Sequence, residues 1–273
     1  MNLQNIFNEI EKTDPEVYER LDSRRSAMQR FTNIGGKIAL TALPFALGNM
    51  LNKAYGQTTT TDIVGILNFA LKLEYLESDF YTKAIGTAGL IDPSQTASFA
   101  LISKHETEHV AFLTTTITSL GGTPVAKPTF DFTAGGTFPT VFTNYQTFLA
   151  LSQTFEDTGV RAYKGQAGGL ITNNDVLSAA LQIHSVEARH ASHIRKVRRI
   201  TGADTTEKPW ITGSSTNGIS GVDASYAAEG NKVQLGIDVS TLAGANGVSA
   251  TEAFDEPLSM DDVLAIVTPF IVA

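Results

Sequence analysis

The sequence predicts an all-α fold: a four-helix bundle with one long crossover, followed by an irregular C-terminal extension that ends in a short helix. Three observations predict it. Glycines and Asn or Asp caps divide residues 58–202 into four segments of helical length. The gap after the second segment is much longer than the other two. Glutamates recur on all four segments at matching helical positions.

Residues 1–30 are polar and charged. The run IGGKIALTALPFALGNML, from Ile34 to Leu51, then carries a single charge, Lys37. It is too short and interrupted for a comfortable membrane span, and no stable span is expected. Arg24 and Arg25 stand ahead of it, with the small residues Ala54 and Gly56 behind it. A basic region, a short apolar run and a small-residue exit describe an export leader of twin-arginine type over residues 1–57. The expectation is a periplasmic or exported protein, with a cytoplasmic one as the alternative.

After Thr58–Thr61, Asp62 is placed to cap a first helix running to about Ile85, stopped by Gly86 and Gly89. Asp92-Pro93 opens a second, to about Leu120, stopped by Gly121-Gly122. Residues 121–140 hold three prolines and four glycines with alternating Phe and Thr, so they read as an extended crossover. A third helix is expected over about Phe142–Lys164. A fourth is capped by Asn173 or Asn174 and ends at Gly202, after the run Arg195-Lys196-Val197-Arg198-Arg199, which suits the negative end of the helix dipole. From Ala203 to Gly247 the chain is rich in Gly, Ser, Thr and Asn without helical period. Ser259 caps a last short helix with Asp261 and Asp262 in its first turn.

Composition narrows the chemistry. The formal net charge of −8 gives no sign of a nucleic-acid partner. With no cysteine, disulfides, thiolate metal sites and cysteine nucleophiles are excluded. A metal site here must be built from carboxylates and imidazoles, which suit iron, manganese or zinc.

All five histidines lie in the second and fourth helices. Glu106 precedes His109 by three residues, and Glu187 precedes His190 by three, so each pair shares a helix face. The first helix offers Glu74 with Tyr81 seven residues later, and the third offers Glu156 with Tyr163. The four segments are thus an approximate duplication with an offset of 81 or 82 residues. One glutamate from each of two helices and a Glu-x-x-His pair from each of the other two make up the donor set of a di-iron or di-manganese carboxylate bundle. The expected metal ligands are Glu74, Glu106, His109, Glu156, Glu187 and His190. Each glutamate sits in an apolar stripe, so a cation is needed to offset the buried charge. Glu77 is one turn beyond Glu74 and is the next carboxylate expected nearby. His105, one turn before His109, is a candidate supporting group. Tyr81 and Tyr163 either hydrogen-bond the ligand carboxylates or are core aromatics. Glu108 is expected in solvent, and His184 and His193 on the flanks.

The segments LNFALKLEYLESDFY, KHETEHVAFL, GGTPVAKPTFDF, FLALSQTFEDTGVRAY and VEARHASHIR together resemble the ferritin-like proteins grouped with the plant desiccation-related proteins. FDEPLSMDDVLAIVTPF is similar to the closing segment of that family. The resemblance implies a ferritin-like bundle holding two metal ions, iron first and manganese second. It places the ligands on the same six residues and implies a role in metal, oxidative or desiccation stress. The expected function is a ferroxidase-like or peroxide-reducing oxidoreductase acting with O2 or H2O2, without a catalytic residue separate from the metal ligands. A non-catalytic metal-sequestering or envelope structural stress protein is the alternative, and a homo-oligomer is left open. The leader, the long crossover and the C-terminal extension argue against a ferritin storage shell.

Overall fold

A computed structural model describes residues 60–242 and 247–272 of the chain. The expected leader, residues 1–57, lies outside them. Four long helices dominate: α1 (Thr60–Gly86), α2 (Thr96–Ser119), α3 (Tyr145–Ala167) and α4 (Asn174–Ile200). α1 packs along α2 and α3 along α4, and α1 also meets α3. No helix among the described residues is long and apolar enough to cross a membrane.

The helix ends follow local chemistry. Asp62 lies inside the first turn of α1, where a carboxylate meets the positive end of the dipole, and is not the cap. Asp92 accepts from the backbone N–H and the hydroxyl of Ser94, closing a turn that delays α2 to Thr96, later than the Asp-Pro pair suggests. Asn144 caps α3 by accepting from Thr147 N–H, and Asn173 caps α4 by accepting from Val176 N–H. α2 and α4 stop in the same way. Gly121 (φ 79°) and Gly202 (φ 83°) take the left-handed conformation that lets the chain double back and pair the last carbonyls.

The crossover is less extended than the sequence suggests. Only β1 (Thr129–Phe130) is a strand, and residues 131–143 turn repeatedly. β1 pairs antiparallel with β4 (Ile271–Val272), with Thr129 opposite Val272, so the end of the chain is tied to the crossover. Between them come a hairpin of β2 (Val233–Gln234) and β3 (Ile237–Asp238), then α5 (Gly247–Glu252) and α6 (Met260–Val267). Ser259 caps α6 by accepting from Asp262 N–H.

The extension wraps α3, which is buried on every side from Leu151 to Tyr163. Such a helix has no solvent face to turn its polar groups towards, so they must find partners inside. Arg161 donates to the carbonyls of Glu256, Ser225 and Ala227 and lies 2.8 Å from Glu229. Gly165 lets the backbone approach: a Cβ there would stand 1.9 Å from the carbonyl oxygen of Leu258. The basic run on α4 also serves the interior. Arg195 pairs with Asp157 and Glu207, and Arg198 with Glu207 and Gln153, while Lys196 and Arg199 stay in solvent. Half of that run therefore pins the extension and does not simply face the helix dipole.

Two apolar clusters fill the bundle. One is aromatic and includes Phe80, Phe99, Phe148 and Phe155; the other includes Leu67, Leu71, Leu113, Ile117 and Ile183. The acidic residues of the four helices lie between these clusters in sequence register.

Candidate metal centre

Each of the four helices delivers one glutamate to the bundle interior: Glu74, Glu106, Glu156 and Glu187 are all fully buried. α2 and α4 add an imidazole one turn further on, because three residues of helix return a side chain to nearly the same direction. The result is two overlapping sets of four donors. One atom each from Glu74, Glu106, His109 and Glu187 lie within 4.8 Å of one another, as do atoms from Glu106, Glu156, Glu187 and His190. Glu106 and Glu187 belong to both.

The donors share a focus that hydrogen bonding does not account for. His109 Nδ1 lies 3.1 Å from Glu74 Oε2, 3.1 Å from Glu106 Oε2 and 3.3 Å from Glu187 Oε1. One N–H cannot satisfy three acceptors. His190 Nδ1 lies 2.9 Å from Glu106 Oε1 and 3.2 Å from Glu156 Oε2. Both oxygens of Glu187 and Oε1 of Glu106 receive no hydrogen bond. Buried, unpaired carboxylate oxygens aimed at neighbouring carboxylates are costly unless a cation lies among them. A cation with bonds of about 2.0–2.2 Å spreads opposed donors roughly 4 Å apart, within the observed spacing. The oxygen-rich donor set with one nitrogen per quartet suits a hard-to-intermediate divalent metal. The residues present fit metal ions.

Electrostatics carry the same message. Burial, helped by neighbouring carboxylates, pushes Glu187 and Glu77 well above the usual range. Burial also raises Glu156, and lifts Glu74 to about 7. Glu106 feels the same burial, yet the hydrogen bond from His109 and the nearby charge of His190 and His109 hold it at about 2. Burial opposes protonation of the imidazoles, but the glutamates overcome it, raising His109 strongly and His190 to about 11. Without metal, the cluster must gather protons to be stable.

Four further side chains stand near the donors. Tyr81 on α1 donates to Glu156 Oε1 on α3 at 2.5 Å, and Tyr163 on α3 donates to Glu74 Oε1 on α1. The duplication is thus realised as a pseudo-twofold exchange of hydroxyls. His105 Nδ1 meets His190 Nε2 at 3.0 Å with the rings stacked. Glu77 is buried but belongs to neither donor set. Its duplicate position is Gly159, and a Cβ there would stand 3.3 Å from both Glu77 Oε1 and Glu187 Oε2. The missing side chain on α3 makes room for the extra carboxyl from α1. Glu108 is exposed beside Lys104, and His184 and His193 stand outside both sets.

Sequence reasoning missed the buried pairs of Arg161, Arg195 and Arg198. Their partners lie in an extension without periodicity, and the sole signal was the three-residue spacing of Arg195 and Arg198.

No curated protein matches the chain. The family model of the ferritin-like domain matches residues 62–199, just over half of the 273 residues. That span runs from the first turn of α1 to the last turn of α4 and contains all six converging donors, so the chain belongs to the ferritin-like domain family.

Proposed function

We propose that this chain is a di-metal carboxylate oxidoreductase of ferroxidase or peroxide-reducing type, with iron as the first candidate metal and manganese as the second. The observation that carries the reading is the pair of four-donor sets with Glu106 and Glu187 in common. In this assignment Glu74 and His109 would hold one ion and Glu156 and His190 the other, with Glu106 and Glu187 within reach of both.

When bound, such a metal pair supplies redox chemistry towards O2 or H2O2. The protein's part is positional. Tyr163 and Tyr81 each donate to one oxygen of a terminal carboxylate, which fixes the rotation of that carboxylate and leaves its other oxygen for the ion. His105 orients the His190 ring through Nε2, so that Nδ1 faces the carboxylates. The apolar clusters on either side keep bulk water away and strengthen every charge interaction between them.

Elemental analysis of protein purified without added metal should find two iron or manganese ions per chain, and adding Fe(II) to metal-free protein should consume oxygen. Metal without uptake of either oxidant would leave the sequestering role. Absence of any bound metal, even after loading, would remove the reading altogether. Export belongs to the same proposal, supported by the Arg24-Arg25 pair, the apolar run to Leu51 and the small residues after it. An intact Met1 on protein from a cytoplasmic fraction of the native host would overturn it.

A further inference from the structure

The bundle is filled unevenly on the two sides of the carboxylates. On one side, Phe80, Phe99, Phe148 and Phe155 pack in contact, with ring centroids 5.1–5.2 Å apart between Phe80 and Phe148, Phe80 and Phe155, and Phe99 and Phe148. On the other, Ala70, Ala162, Ala179 and Ala180 line a cavity of about 390 Å³. Its deep end stops one helical turn short of the donors: Ala70 is one turn before Glu74, Ile183 one turn before Glu187, and Leu113 one turn after His109. Tyr163, whose hydroxyl is on Glu74, forms part of its wall. Its outer end lies where α3 finishes and α4 starts, at Gln166 and Asn173, with exposed Asp175 and Ser119 beside them.

Size, shape and charge define what fits. The wall runs from Phe112 to Leu120 on α2 and from Asp175 to Ile183 on α4, roughly 12 Å along the axis at 1.5 Å per residue. A 150 Å³ apolar cavity holds benzene, so this one has room for roughly a dozen carbon atoms or a few more. A long space between four helices favours a linear chain over a ring system. The lining contains no Lys, Arg or His, and its only formal charge is Asp175. A carboxylate or phosphate head would therefore meet negative charge without a cation. Gln166 offers both donor and acceptor, and Asn173, whose Oδ1 caps α4, offers its amide N–H groups, which together suit a hydroxyl. Pockets of this volume, apolar with a few placed polar groups and set between helices, are the usual form of a small-molecule site.

We propose that this cavity binds an uncharged, unbranched aliphatic alcohol, its tail against Tyr163 beside the carboxylate cluster and its hydroxyl among Gln166, Asn173 and Asp175. The proposal does not depend on metal, and its test uses the full chain in metal-free form. Titration calorimetry with 1-decanol should show saturable binding at one site per chain, with decanoate at least tenfold weaker. Ala180→Phe, which fills the cavity, should weaken 1-decanol at least tenfold while keeping the parent's helical circular dichroism and, in a separate loading experiment, its metal uptake. Ala179→Leu is the second variant if Ala180→Phe does not fold. Lack of saturable binding, equal affinity for decanoate, or an affinity that neither variant moves would overturn the proposal. Elemental analysis runs alongside: protein that takes up 1-decanol but no metal keeps the cavity site and loses the metal centre, and the reverse result does the opposite.

Discussion

Glu106 and Glu187 occupy the same place in both donor sets, yet their surroundings make them unlike. Glu106 is held ionised between two imidazoles, whereas Glu187 is pushed towards its neutral form by burial and carboxylate neighbours. Glu187→Gln should therefore leave the metal-free melting temperature nearly unchanged while metal stoichiometry falls below two per chain. Glu106→Gln should lose metal as well and also destabilise the metal-free chain by about 1–3 kcal/mol, because it removes a charged hydrogen-bond partner from buried imidazoles. Calorimetric melting of both variants, stripped of metal, checks the contrast; equal melting temperatures would count against it. Proton linkage gives a second test. Glu74 titrates at about 7 in the folded metal-free chain against an ordinary value of 4.5, so the folded state holds the extra proton between those limits. Its stabilising contribution is complete below pH 4.5 and is lost as pH rises through 7. Metal-free protein should melt several degrees lower at pH 7.5 than at pH 5, and bound metal, which displaces those protons, should remove that trend. The six donors were legible in the sequence because a helix fixes what a three-residue spacing means. The focus of one imidazole on three carboxylates was not, since it depends on how four helices meet.

At the scale of elements, the four helices were legible from their caps and glycine stops, and the misplacements are local. α2 starts late because the side chain of Asp92 bonds Ser94 before the helix can begin. The path of the extension was not legible, because it follows no period; it follows the polar groups and gaps of α3. Arg161 and Gly165 are one helical turn apart, and together they seat residues 225–258, one by hydrogen bonds and one by having no side chain. Gly165→Ala would ordinarily favour a helix by about 0.5–1 kcal/mol. Here the added methyl meets the Leu258 carbonyl at 1.9 Å, and a backbone atom cannot step aside as a side-chain end would. The variant should be destabilised by at least about 1–3 kcal/mol. Limited proteolysis should cut it between residues 203 and 258 under conditions that spare the parent. A Gly165→Ala chain as resistant and as stable as the parent would show that the extension sits elsewhere in solution.

At the largest scale, the bundle of residues 60–200 is a duplicated hairpin whose halves differ in three ways. Gly159 stands where the other half has Glu77, Val186 stands where it has His105, and the extension covers α3 with no counterpart over α1 among the described residues. These differences give two similar donor sets unequal surroundings: the stacked His105 serves His190 alone, and the extra carboxyl lies towards Glu187. The burial of α3 on all sides has a consequence for the time course of its opening. A helix at the surface exposes its amides by fraying or by a local swing, whereas α3 must first shed the extension and then part from α1 and α4. Its backbone should exchange hydrogen for deuterium only through the largest opening the domain makes. In native-state exchange followed by mass spectrometry, peptides from residues 148–163 should be the last to gain deuterium, later than the matching stretch 66–81 of α1. If the two stretches labelled at the same rate, the duplicated halves would open as equals and the extension would contribute nothing to holding one of them shut.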